Sequence, residues 1–275
     1  MNEFNLNDLK KLYIPASASH KGQNGKLLII GGSILFHAAS LWALQVASRI
    51  VDMVFYSSVP ENNALVEKEK AEFRNGIIVP RNKIQDYVED ADCVLIGPGL
   101  PREDGAEEGD DDTKELTEKL FTTYPNKKWV VDGGSLQVIN PEALPRTAIV
   151  TPHHQEFQTL FKLEPTAENA KKMAQKFNIT ILLKGEIDYI ANNKQTVQVS
   201  GGNAGMTKGG TGDVLAGLTA ALYTKNESFL SATAASFINK KSGEALSQKM
   251  GIYFNASDLA NEIPVVMKKI IFESS

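Results

Sequence analysis

Short, nearly unbroken apolar runs alternate along this chain with longer stretches in which apolar residues recur every three to four positions. The runs Lys26 to Gly32, Met53 to Val59, Gly76 to Val79, Cys93 to Gly97, Trp129 to Asp132, Ala148 to Thr151 and Ile179 to Lys184 predict strands. Their continuous apolarity marks strands covered on both faces, as in a parallel sheet. Helices are expected over Ala38 to Val51, Thr113 to Thr122, Gln155 to Phe161, Ala167 to Phe177, Asp213 to Tyr223, Ser231 to Ser247 and Ala256 to Ile271. This alternation predicts an α/β chain with a central, mostly parallel sheet flanked by helices, in a single domain over residues 1–275.

In open parallel sheets, ligands gather outside the carboxyl ends of the strands. Those ends here carry Gly31-Gly32-Ser33, Gly97-Pro98-Gly99, Asp132-Gly133-Gly134-Ser135, Thr151-Pro152-His153 and Lys184-Gly185. Glycine after a strand is common, so the repetition carries more weight than any one ending.

The richest segment is Gly201-Gly202-Asn203-Ala204-Gly205-Met206-Thr207-Lys208-Gly209-Gly210-Thr211-Gly212-Asp213, which runs straight into an apolar helical stretch. Glycines let the loop fold closely around a ligand, and the unpaired N–H groups at a helix start attract anions, phosphate above all. A P-loop is excluded, because Gly212 is followed by Asp213 and Val214 instead of lysine and a hydroxyl residue. A carboxylate at Asp213 would repel phosphate, which makes it a candidate for taking the proton from a hydroxyl about to meet that phosphate. An ordinary first-turn acid is the plainer reading.

Composition narrows the setting. With 275 residues, 42% of them hydrophobic, the chain can bury a sizeable core. A net charge of -4 gives no general attraction to nucleic acid or an anionic membrane, so any phosphate is bound locally. No apolar window is long enough to span a bilayer, and the first residues lack the order of a secretory signal, so the cytoplasm is expected. The one cysteine, Cys93, lies in an apolar run and reads as a small buried hydrophobe. The acid-rich segment from Arg102 to Glu118, which includes Glu103 and Asp104, reads as a solvated surface loop, with metal binding as the alternative.

Taken in order, His20-Lys21-Gly22-x-x-Gly25, Gly31-Gly32-Ser33, Gly97-Pro98-Gly99-Leu100, Thr151-Pro152-His153-x-x-Glu156, Leu183-Lys184-Gly185 and Gly209-Gly210-Thr211-Gly212-Asp213 resemble the ADP-dependent NAD(P)H-hydrate dehydratase family, over nearly the whole chain. The resemblance implies a ribokinase-like three-layer fold. It also implies dehydration of the S epimer of hydrated NADH or NADPH, by phosphorylation of the ring hydroxyl and elimination of phosphate. ADP would be the co-substrate, with Mg²⁺ arriving on its phosphates and no dedicated protein metal cage. Asp213 matches the catalytic aspartate and lies on the substrate side together with Ala39, Gly99 and His153. Lys184, Gly185, Glu186, Ile187 and Asp188, with Gly209, Gly210, Thr211 and Gly212, match the nucleotide-binding segments, although Asp188 departs from the commoner threonine. His153 is read as a substrate contact or a helix cap, Asp132 as a site carboxylate or a turn residue, and Glu156 as a supporting first-turn acid. His154 is expected to face solvent.

A homotetramer is implied, and little chain precedes the first motif, so an epimerase is expected as a separate protein. The competing readings are a hydroxyethylthiazole kinase-like or sugar kinase of the same superfamily, and a dinucleotide sensor without turnover. A Rossmann oxidoreductase lacks its third glycine after Gly97-x-Gly99.

Overall fold

The computed structural model describes residues 2–68, 76–102 and 105–273. Among the described residues the frame is one ten-stranded sheet. In chain order the strands are β1 (Asn2–Glu3), β2 (Lys26–Ile30), β3 (Met53–Ser57), β4 (Ile77–Ile78), β5 (Cys93–Ile96), β6 (Lys128–Val131), β7 (Ala148–Val150), β8 (Thr180–Leu183), β9 (Asp188–Ala191) and β10 (Thr196–Val199). They lie side by side as β1-β10-β9-β8-β7-β6-β5-β2-β3-β4. Pairing is parallel from β4 across to β8, and β9 alone runs against its neighbours.

Every strand read from the sequence is present, its ends shifted by no more than two residues. The two-residue β1 and the hairpin β9–β10 escaped that reading, because short, partly polar strands lack a continuous apolar run.

The helices are α1 (Ala38–Ala47), α2 (Pro60–Lys68), α3 (Ile84–Asp90), α4 (Thr113–Thr123), α5 (Gly133–Val138), α6 (His154–Phe161), α7 (Ala167–Phe177), α8 (Thr211–Lys225), α9 (Ser228–Met250) and α10 (Ala256–Lys268). Successive sheet residues point to opposite faces and build two cores. Leu27, Ile29, Cys93, Leu95 and Val130 pack with α1, α8, α9 and α10, while Leu28, Ile30, Val94, Ile96 and Val131 pack under α4 to α7. The result is the expected three-layer arrangement, and Cys93 is the buried hydrophobe predicted, its thiol pushed well above the usual range by burial.

Several helix limits need correcting. The first helix stops at Ala47 instead of Val51, because residues 48–51 turn back, with Ile50 N–H on the Ala47 carbonyl, to reach β3. The last α-helix stops at Lys268, and residues 269–273 form a wider turn. α8 begins at Thr211, which puts Asp213 in its first turn instead of at its start. The short helices α2, α3 and α5 were not anticipated.

The topology fixes where a ligand can enter. From β2 the chain moves outward through β3 to β4, then crosses to β5 on the other side of β2 and proceeds to β8. The strand order therefore reverses between β2 and β5, and a crevice opens outside their carboxyl ends. Glycine is obligatory there: at Gly97, with φ of 116°, a Cβ would lie 1.8 Å from the Asp132 carbonyl oxygen.

Candidate active site

α8 is the apolar helix expected after the glycine loop, buried along most of its length between the sheet and α1, α9 and α10. Its N-cap, Gly210, takes a φ of 94°, and a Cβ there would come within 2.3 Å of the Trp42 ring. Glycine is thus required by both conformation and space, and it supplies no side chain to cap the helix. In the first turn of α8 the Thr211 N–H donates to the Lys208 carbonyl at 3.4 Å, whereas among the described residues the Gly212 N–H has no acceptor and lies at the carboxyl ends of the strands, where the helix dipole is positive.

Lys184, just past β8, reaches this opening, since a Cβ at Gly212 would lie 3.4 Å from its Nζ. The ammonium donates to Asp132 Oδ1 at 2.8 Å and lies 3.8 Å from Glu156 Oε2. Burial works against the Lys184 charge, but Asp132 and Glu156 outweigh it and hold the amine above the ordinary lysine range. Asp132 is 2% exposed, and its carboxylate also accepts from Thr151 Oγ1 at 2.7 Å. Although it occupies the position before α5, it does not cap that helix; it turns to Lys184 and Thr151.

Asp213 completes the cluster. Its carboxyl is pushed up to about 7, first by burial and then by the negative charge of Asp132, with Lys184 pulling the other way. Glu156 is raised to about 7, again mainly by burial, with Lys184 opposing. A carboxyl poised near neutrality is suited to accepting a proton, which an ordinary first-turn aspartate is not.

Of the two readings of His153, the cap is the one seen. It is the N-cap of α6, with Nδ1 accepting the Glu156 N–H at 3.2 Å while a Glu156 side-chain oxygen accepts the His153 N–H at 2.9 Å. That reciprocal cap places the ring proton on Nε2 when the imidazole is neutral. The ring stays half exposed with Nε2 toward the site, 3.4 Å from Glu156 Oε1, and burial followed by Lys184 lowers its pKa. Ala39 and Gly99 meet in the crevice, where a Cβ on Gly99 would lie 3.2 Å from that of Ala39.

The turn from Lys184 to Asp188 follows. Glu186 and Ile187 are exposed, whereas the Asp188 carboxylate is turned inward, accepting from Gly185 N–H at 2.9 Å and Ser236 Oγ at 2.7 Å. Asp188 therefore shapes the turn from within, and its side chain does not line the open site. His154 is exposed as expected, yet its ring borders the turn: a Cβ on Gly185 would lie 3.1 Å from His154 Nε2.

Thr151, Gln137 and Arg102 also reach the cluster and were not singled out as site residues. Gln137 Nε2 lies 3.5 Å from Glu156 Oε1, and the Arg102 charge acts on both His153 and Glu156. Only Thr151 carried a usable signal, its place at a strand end.

In the acid-rich segment Glu107, Glu108, Asp112 and Glu115 are exposed, as expected of a solvated surface loop, while several of its aspartates also have specific partners. Asp110 accepts from the Ile34 and Glu107 N–H groups, Asp111 pairs with Arg81 at 2.8 Å, and Asp112 caps α4. Glu103 and Asp104 lie outside the described residues. With Arg102 and Val138 the segment lines a cavity of about 430 Å³. Among the described residues, no group of three or more metal-ligating side chains is placed to hold an ion.

A glycine-bounded crevice at the strand switch, an uncapped helix and an aspartate poised beside a largely buried lysine together have the features that phosphoryl transfer needs. Over residues 27–265 the sequence matches the profile of the NAD(P)H-hydrate dehydratases. The chain belongs to that family. The bifunctional NAD(P)H-hydrate repair enzyme of Methanocaldococcus jannaschii is 39% identical over 95% of this chain, which spans only 52% of that protein. The ADP-dependent (S)-NAD(P)H-hydrate dehydratase of Nitrosopumilus maritimus is 35% identical, with 94% of this chain aligned to 95% of the relative.

Among solved structures, a ribokinase-like superfamily protein of Enterococcus faecalis superposes with a TM-score of 0.85 at 24% identity, covering 98% of this chain and 96% of its own. An ADP/ATP-dependent NAD(P)H-hydrate dehydratase of Bacillus subtilis, co-crystallized with ATP and Mg²⁺, gives 0.80 at 20% identity, covering 98% of both chains. The fold is accordingly ribokinase-like.

Proposed function

We propose that this chain, acting as a single domain, dehydrates the S epimer of hydrated NADH and NADPH at the expense of ADP, giving NAD(P)H, AMP and phosphate. The observation that carries the reading is the placement of Asp213 in the first turn of the uncapped α8, beside Lys184. Family membership favours it over the hydroxyethylthiazole kinase-like alternative.

Asp213 takes the proton from the substrate hydroxyl as its oxygen attacks the terminal phosphorus of ADP, and the bond from that phosphorus to AMP breaks. N–H groups of Gly209 to Gly212 and the Lys184 ammonium stabilise charge on the transferring group. The carbon–oxygen bond of the phosphorylated ring then breaks, phosphate leaves and a ring proton is lost, restoring the dihydronicotinamide. Hydroxide leaves poorly, and its conversion to a phosphate ester makes the elimination feasible. Ala39, Gly99 and His153 bound the substrate, while the 184–188 turn follows the nucleotide.

The carboxylates of Asp132 and Glu156 suit a hard cation, but without a converging third ligand they would hold Mg²⁺ only together with nucleotide phosphate and water. The ion would supply neutralising charge for the phosphates. A homotetramer and a cytoplasmic location complete the proposal, with no nucleic-acid or membrane partner. Among the described residues no helix is long and apolar enough to cross a membrane.

Purified protein given S-hydrated NADH, ADP and Mg²⁺ is expected to restore dihydronicotinamide absorbance and release AMP in equal amount. No recovery with either epimer, together with phosphorylation of some other alcohol, would contradict the proposal.

A further inference from the structure

One face of α9 underlies both loops assigned to the nucleotide. Ser236, Lys240 and Glu244 follow one another at four-residue intervals, so they share a side of the helix. Lys240 is 5% exposed, and its ammonium donates to the carbonyls of Gly185 at 3.1 Å and Glu186 at 2.9 Å. It also approaches Gly201 O at 3.5 Å and Asp188 Oδ1 at 3.4 Å. Ser236 Oγ donates to the other Asp188 oxygen at 2.7 Å, and Glu244 accepts the Gly202 N–H at 3.2 Å. A single buried cation thus ties the 184–188 turn to the start of the glycine loop.

Burying a lysine is costly unless several acceptors surround it, and here they do. Two of the acceptors are adjacent carbonyls of one exposed turn. The peptide bonds are trans, so carbonyl and N–H point in opposite directions across each peptide. With the Gly185 and Glu186 carbonyls drawn onto Lys240, the N–H groups of Glu186 and Ile187 face away from α9, and among the described residues neither has an acceptor. An exposed turn presenting successive unpaired N–H groups is a surface for anionic or acceptor groups of a ligand.

We propose that Lys240 is a positioning residue for the phosphate donor: it orients the 185–187 peptides and fixes their spacing from the Gly201–Gly202 segment, and so sets affinity for ADP without touching the hydrated dinucleotide. This rests on the functional reading above.

The test is calorimetric binding of Mg²⁺–ADP and of S-hydrated NADH to the full chain, for wild type, Lys240→Met and Lys240→Arg, with melting curves as a check on folding. Lys240→Met is expected to weaken ADP by at least about ten-fold while hydrated NADH changes by less than about two-fold, and Lys240→Arg to recover part of the loss. Unchanged ADP affinity in a folded Lys240→Met protein, or equal loss for both ligands, overturns the proposal. Should Lys240→Met fail to fold, Ser236→Ala removes only the hydroxyl on Asp188. A loss of about three-fold confined to ADP then supports the role, and its absence overturns it. A wild type that binds no ADP overturns the functional reading as well, whereas normal wild-type binding with an unaffected variant overturns the Lys240 role alone.

Discussion

The two ends of α8 are finished in opposite ways. At its C-terminal end, beside the amino ends of the strands, Lys128 Nζ donates to the carbonyls of Tyr223 at 2.9 Å, Thr224 at 3.3 Å and Asn226 at 3.2 Å. A cation there satisfies orphan carbonyls and complements the negative end of the dipole. At the N-terminal end, Gly210 gives no cap, and Asp213 stands near a cluster with two more carboxylates and one lysine. The first end is closed within the protein, whereas at the second the Gly212 N–H has no acceptor among the described residues. Cavity size makes no such distinction: the void beside the amino ends of β5 and β6, about 660 Å³, is larger than the one beside Arg102. Clustering of charge around an uncapped helix start is what distinguishes the N-terminal end, where the proposed function puts the chemistry.

The comparison can be broken most forcefully at Asp213. Asp213→Asn keeps the shape and is expected to lower turnover by about 10³-fold while ADP still binds, because only proton acceptance is lost. If the variant keeps turnover within ten-fold, the carboxylate is an ordinary first-turn acid. The same substitution should alter stability with a definite sign. Asp213 is raised from 3.8 to about 7 in the folded chain, so its ionisation opposes folding progressively as pH rises between those values. The melting temperature of Asp213→Asn should therefore gain on wild type from about pH 4 to about pH 8, and a gain that shrinks over that range would contradict the burial argument.

Lys184→Met comes next. It leaves the carboxylates of Asp132 and Glu156 without their cation, with an expected loss of about 3 kcal/mol in stability, measurable by denaturant titration, and about 10²-fold in turnover. Gly212→Ala is a finer probe, because a methyl there only touches Lys184 Nζ, at 3.4 Å, and its φ is ordinary. Turnover should fall by about ten-fold at nearly unchanged stability, as the methyl enters the phosphoryl space. Lys128→Met, at the closed end, reverses the pattern: about 1 kcal/mol of stability is lost and turnover is unchanged.

Much of this was legible in the residues. Continuous apolar runs such as Cys93–Ile96 mark the buried strands, because a strand covered on both faces has no polar positions to spare. The glycine loop and Asp213 point to the uncapped end of α8, where glycine suits the Gly210 conformation. Contacts that join distant segments were not legible. The use of Lys240 in α9 as an anchor for loops near residues 185 and 201 is written in no local pattern, and a lysine on a helix ordinarily reads as solvated. Nor does sequence order show that Asp132, Glu156 and Lys184, from three different strand ends, share one cluster. The partners of the aspartates at 110, 111 and 112 were hidden for the same reason: like charge suggests a solvated surface, which the segment largely is, but not the contacts each aspartate makes.

The central claim is that the open end of α8 holds a carboxylate that accepts the substrate's proton, and single-turnover rates of the wild type across pH test it most directly. With S-hydrated NADH and saturating Mg²⁺–ADP, the rate should rise as one group loses a proton with a midpoint near the Asp213 value of about 7. A rate that stays flat from about pH 5 to about pH 9, with both ligands bound throughout, would contradict it.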